Sequence, residues 1–318
     1  MTFVHELPEF VDLLAGVERE TGVEIALVEK DYWITHCLWA IQESGLEIWF
    51  KGGTSLSKGF GIIERFSEDL DLMIEKGRVA VLPDVSNWSS LNKGPVGQRL
   101  SFYKGLENAM EIPAVRVERM TLREDKYARG ADYLGLYPGL FVSGLPGVMS
   151  ASVRFEVGRA RVVPFLERPI TSFVHDYLER RQLIGEFADN RSRALRCVHP
   201  LVTLLEKLDA LSKRYVREPM EADGFVRHYE DAARIVQSLP RLAPAGVSAM
   251  KLAQDMLTEK DIVALPSADD ASLLLDDPAR RSAIELAYAR IAPMFWGGRI
   301  ALDDACKTIR QWVDRLGE

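Results

Sequence analysis

The stretch FKGGTSLSKGFGIIERFSEDLDLMIEKG, residues 50–77, decides the reading of this chain. An apolar, strand-like run, LEIWF, ends in two glycines, and Thr54, Ser55, Ser57 and Lys58 follow. Glycine lets backbone amides approach a ligand with no side chain in the way. A turn leading into a helix points free N–H groups at an anion, and the helix dipole adds to the attraction. A plain strand-to-helix turn has the same composition, so this half alone leaves both readings open. The second half, DLDLMI, alternates charged and apolar residues, the period of a half-exposed strand. Asp69 and Asp71 therefore share a face, about 7 Å apart along the chain. Paired carboxylates repel unless a cation lies between them, and Mg²⁺ takes carboxylate and phosphate oxygens together. The alternative is a solvated strand face. Taken together, the two halves would bring a triphosphate and its metal to one place.

Outward from this stretch, residues 7–43 read as helices. Phe10, Leu13, Leu14 and Val17 recur at helical spacing, as do Ile34, Cys37, Leu38 and Ile41, and Gly45 ends the run. Residues 83–95 are a loop rich in Ser, Asn, Gly and Pro, and residues 97–110 are helical. Strand-like runs follow at VRVERM, YLGLY and SASVRFEV. From Ile170 onward the pattern is helical, with PLVTLLEKLDALSKRY, VRHYEDAARIVQSL and a final pair of helices beyond a polar hinge, PSADDASLLLDDPARR. This order predicts an α+β fold, with a mixed-sheet lobe over residues 1–169 and a helical lobe over 170–318.

The composition, 47% hydrophobic and 27% charged over 318 residues, supports a sizeable core. Forty basic against 47 acidic residues leave a net charge of -7. That argues against an all-over basic coat for nucleic acid, but not against a local groove. The span from Arg154 to Arg217 is rich in arginine (Arg159, Arg161, Arg168, Arg180, Arg181, Arg191, Arg193, Arg196 and Arg214 among them), as an RNA-backbone groove requires. Pairing with Glu167, Glu179 and Glu186 is the competing reading. Cys37, Cys197 and Cys306 lie far apart in no metal or redox spacing, so reduced thiols are expected. No signal-peptide pattern and no membrane-length apolar stretch are present, which points to a cytoplasmic protein with no membrane partner.

A Gly-Gly/Ser turn followed by D-x-D on the next strand resembles the nucleotidyltransferase superfamily typified by DNA polymerase beta. SVRFEVGRAR (residues 152–161), HPLVTLLEKLDAL (199–211) and VRHYEDAARI (226–235) narrow the resemblance to the AbiEii/AbiGii toxin family, as do VEKDYWITHCL and IAPMFWGG. The resemblance implies a nucleotidyltransferase-type sheet lobe and an enzyme transferring NMP from NTP, with Mg²⁺ as cofactor. It further implies an RNA acceptor, the tRNA 3′ end, and a cognate antitoxin within an abortive-infection or toxin–antitoxin system. Carried over, Gly52, Gly53, Thr54 and Ser55 would sit against the nucleotide phosphates. Asp69 and Asp71 would bind Mg²⁺, and Glu156 would be the third carboxylate, as metal ligand or activator of the attacking hydroxyl. Lys207 would reach the phosphates, and Asp231 would complete the polar cluster. The sequence departs from the family at Glu230, where an aromatic or apolar residue is common, and at Ala232, where leucine is.

Each residue has a plainer reading. Glu156 could pair with Arg154 or Arg159, and Lys207 could belong to a solvated stripe with Glu206 and Asp209. His228 could be a packing histidine. Glu29, Lys30 and Asp31 could pair within their helix, and Trp33, Trp39 and Trp49 could fill the core. Two further functions compete: the same fold acting on a small-molecule or protein hydroxyl, and a non-catalytic binding module.

Overall fold

The structure is a computed structural model and describes residues 1–67, 69–141 and 152–316. In chain order its elements are α1 (Phe10–Thr21), α2 (Ile25–Glu43), β1 (Glu47–Lys51), α3 (Gly52–Lys58), β2 (Asp69–Glu75), α4 (Lys93–Ala109), β3 (Arg116–Arg119), β4 (Gly130–Leu136), β5 (Ser152–Gly158) and β6 (Phe165–Ile170). They continue with α5 (Phe173–Arg180), β7 (Ser192–Val198), α6 (Pro200–Tyr215), α7 (Arg227–Ser238), α8 (Ala249–Glu259), α9 (Ala271–Leu274), α10 (Pro278–Arg290) and α11 (Leu302–Leu316). The strands form one mixed sheet in the order β3-β4-β5-β2-β1-β7-β6. This is an α+β fold. The chain forms two compact units: Met1–Gly59 with Ser67–Arg159 and Leu166–Cys197, and Phe60–Phe66 with Ala160–Phe165 and Val198–Glu318.

In the first unit, alternation along the strands gives the sheet one apolar face. Leu70, Leu72, Val153, Phe155, Val157, Ala131 and Tyr133 are all buried. Each large side chain of this set contributes about 1.5–3 kcal/mol by leaving water, far more than a surface ion pair. Helix α2 is buried along nearly its whole length, including Glu29, Lys30 and Asp31. Each of these charges has a partner distant in sequence. The Glu29 carboxylate accepts the backbone N–H groups of Leu140 and Phe141. The Lys30 ammonium donates to the Ser152 carbonyl at 3.2 Å. Asp31 accepts from Lys58 and from the Phe173 N–H at the start of α5. A helix inside a core can carry such groups only if each finds a partner.

The same helix holds a neutral polar network. His175 Nε2–H donates to Asn190 Oδ1 at 2.7 Å, and His175 Nδ1 is 2.6 Å from Ser172 Oγ. The Asn190 amide donates to Tyr32 Oη and His36 Nδ1, His36 Nε2–H donates to the Pro113 carbonyl, and Tyr32 Oη lies 2.7 Å from His5 Nδ1. Burial depresses the pKa of His5, His36 and His175 to about 4 each. Of the tryptophans read as core, Trp33 and Trp49 are buried and Trp39 is half-buried. All three cysteines are free and buried.

The span beyond Ile170 is not purely helical. SRALRCV forms β7, parallel to β1, with Trp49 opposite Arg196 and Phe50 opposite Cys197. Its arginines interrupt the apolar alternation, which hides the strand from a periodicity reading. In the second unit α7 packs on both α6 and α11. Glu230, the departure noted in the sequence, is fully buried. It pairs with Arg234 at 3.0 Å and Arg299 at 2.6 Å, and accepts from Tyr288 Oη and the Ile300 N–H. In this chain a carboxylate knits α7 to the segment before α11, where an apolar residue would only pack.

Candidate active site

In the first unit Lys51 stands opposite Asp71 in the β1–β2 ladder, so the chain turns into α3 directly beside the second aspartate. Gly52 makes that turn at φ +75°. A Cβ on it would lie 1.8 Å from Asp71 Oδ2, so no side chain fits there. Gly53, Thr54 and Ser55 follow, all buried. The Thr54 hydroxyl donates to the Asp69 carbonyl at 2.8 Å and locks the turn to β2. The Ser55 hydroxyl is buried with no hydrogen-bond partner among the described residues. Lys58, which the sequence places near the phosphates, instead makes a buried ion pair with Asp31.

The strand register then gathers carboxylates. Asp71 pairs with Glu156 and Asp69 with Arg154 across β2 and β5, and Asp132 pairs with Glu156 across β4 and β5. Asp69, Asp71, Glu156 and Asp132 thus share one face of three adjacent strands. Arg154 stands among them, 2.6 Å from Glu156 Oε1, 2.7 Å from Asp132 Oδ2 and 3.4 Å from Asp69 Oδ1. Burial works against its charge, but Asp132, Asp69 and Glu156 outweigh it and raise its pKa. Burial first, and then the charges of Asp69 and Asp71, push the Glu156 carboxyl up to about 7. Asp69 Oδ1 is buried and, beyond the Arg154 ion pair, has no hydrogen-bond partner among the described residues. Among the described residues no group of three or more His, Cys, Asp or Glu side chains is arranged to hold a metal ion. The donor set is nonetheless of hard carboxylate oxygens, and the Asp69 oxygen, held only by a long ion pair, is an acceptor that a Mg²⁺ ion would satisfy. Asp132 escaped the sequence reading. The one signal for it was its place as the charged residue in the alternating run GADYLGL.

In the second unit Lys207 and Asp231 come together. Lys207 Nζ donates to Asp231 Oδ2 at 2.8 Å, and His228 Nδ1 lies 3.4 Å from the same ammonium. Arg65, missed by the sequence reading, grips Asp231 with both prongs, Nε to Oδ1 at 2.8 Å and Nη2 to Oδ2 at 2.6 Å. Asp231 is wholly buried with both oxygens engaged. Burial opposes its charge, yet Arg65 and Lys207 hold its carboxyl well below the usual range. Burial lowers the Lys207 pKa against the pull of Asp231. Burial, with Lys207 and Arg227 nearby, keeps His228 neutral.

The arginine-rich span is mostly neutralised. Arg159 pairs with Glu75, Arg161 with Glu259 and Asp261, Arg180 and Arg181 with Glu20, Arg191 with Asp189 and Glu179, and Arg196 with Glu47. Among the described residues Arg214 and Arg217 pair with no carboxylate. No helix of the described residues is long and apolar enough to cross a membrane.

Among curated proteins, none matches this chain. The crystal structure of JHP933 from Helicobacter pylori aligns with 93% of this chain and 96% of that chain, at 13% identity and a TM-score of 0.33. The profile of the nucleotidyl transferase AbiEii toxins of type IV toxin–antitoxin systems matches residues 37–314. That match spans the glycine turn, the acid-bearing strands and the Lys207–Asp231 helices, and the chain belongs to the AbiEii nucleotidyl transferase toxin family.

Proposed function

We propose that this toxin transfers NMP from a Mg²⁺-bound NTP to an RNA acceptor in the cytoplasm, the tRNA 3′ end being the favoured target. The observation that carries the reading is the Gly52 turn closed against Asp71, with Asp69 and Glu156 on the same face. The amides of Gly52 and Gly53 and the Ser55 hydroxyl would be donors for phosphate oxygens. Asp69 and Asp71, with Glu156, would hold the metal, which when bound stabilises charge on the reacting phosphate and leaving group. Glu156 would share that role or take the proton of the attacking hydroxyl. Lys207 is the candidate phosphate cation, and Asp231 with Arg65 fixes it. An antitoxin encoded beside the toxin is the expected partner.

A protein or small-molecule hydroxyl as acceptor is the second reading, and the ion pairing of most of the arginines favours it. Incubation with labelled NTPs and total tRNA, protein or small-molecule acceptors separates the two. Label is expected on tRNA, and Asp69→Ala and Asp71→Asn should each reduce the rate on the order of 10²–10³ or more. Label on protein alone would overturn the RNA acceptor. An Asp69→Ala variant as toxic as the parent would overturn catalysis altogether.

A further inference from the structure

We propose that Arg154 is an internal counter-cation that competes with the divalent metal for the carboxylates of this site. The inference rests on the metal-site reading above. Four carboxylates on one face of three adjacent strands repel one another. The guanidinium relieves this by touching three of them, Glu156 at 2.6 Å, Asp132 at 2.7 Å and Asp69 at 3.4 Å. Arginine suits the position because its planar fork bridges several carboxylates, which a lysine point charge does not. Two of the three, Asp69 and Glu156, belong to the proposed metal set, so the ion and the guanidinium claim the same oxygens. The third, Asp132, lies outside that set and remains a partner for the arginine after it yields the others. The Arg154 Nε–H is buried without a hydrogen-bond partner among the described residues, so their acceptors leave the guanidinium incompletely satisfied. Without metal the guanidinium thus offsets part of the negative charge of the site, and metal binding must first move Arg154 off Asp69 and Glu156.

The test is Mn²⁺ binding by the full chain, followed by titration calorimetry, for the parent, Arg154→Gln, Arg154→Lys and Asp71→Asn. Removing a unit charge in contact with the ligands should tighten binding about tenfold or more in Arg154→Gln. Arg154→Lys should also bind tighter than the parent, because the fork is lost although the charge remains. A lysine variant that binds like the parent would reduce the effect to long-range charge and overturn direct competition. In the parent protein, the Arg154 side-chain N–H resonance should shift on saturation with Mg²⁺, a readout independent of how well the variants fold. Unchanged or weaker binding in Arg154→Gln, or an unmoved resonance, overturns the proposal. If Asp71→Asn abolishes binding while Arg154→Gln leaves it unchanged, only this inference falls. If the parent itself binds no Mn²⁺, the metal-site reading falls with it.

Discussion

Gly52 and Asp231 show what one residue can and cannot announce. Gly52 was legible because its constraint is local: a strand ends, the backbone turns through a positive φ, and a helix begins. Its neighbour Asp71 adds a steric reason, since a methyl group would overlap the carboxylate. Gly52→Ala should therefore displace Asp71 and lower the transfer rate on the order of 10²-fold, with a smaller fall in melting temperature; steady-state kinetics beside a thermal melt checks this. Asp231 was legible only as part of a family pattern, and Arg65 not at all. Their contact joins positions 166 residues apart, and no local period encodes it. Asp231→Ala leaves a guanidinium and an ammonium buried without their anion, a loss of about 3–5 kcal/mol. Denaturant unfolding measures it, and a change within error of zero would contradict the buried triad. Asp132 was hidden for a similar reason, since only the β4–β5 register sets it beside Glu156.

At the scale of elements, α2 ties the site together from below. Its charged cluster, EKD, reads from sequence as pairs within the helix. Tertiary burial overrides that expectation by giving each charge a distant partner. Asp31 joins α2 to α3 through Lys58 and to α5 through the Phe173 N–H. Lys58→Met should accordingly lower stability by about 3 kcal/mol or more while the KM for NTP of the folded fraction stays near that of the parent. A large rise in KM with unchanged stability would instead return Lys58 to the phosphates. Most of the strands were legible from alternation, and DLDLMI most clearly, because one face meets water and the other the core. β7 was not, since Arg193 and Arg196 break the alternation in a strand held by its neighbours rather than by its own pattern.

At the scale of the molecule, the buried histidines make stability depend on pH. His5, His36 and His175 titrate near 4 when folded and near 6.5 when unfolded. Between those values the unfolded chain binds more protons, so stability is full above about 6.5 and is lost as pH falls toward 4. The depressed carboxyl of Asp231 extends the loss to still lower pH. The urea midpoint should fall from pH 7.5 to pH 5, and His175→Gln should flatten that slope; a pH-independent midpoint would mean the network is solvated. A different consequence follows from the path of the chain. It passes between the two compact units at residues 59–60, 66–67, 159–160, 165–166 and 197–198. A ribosome must therefore add 166 further residues before Arg65, made early, can meet Asp231. No single protease nick or gene splice yields two self-sufficient halves, and chimaeras between related toxins must exchange interleaved segments rather than ends.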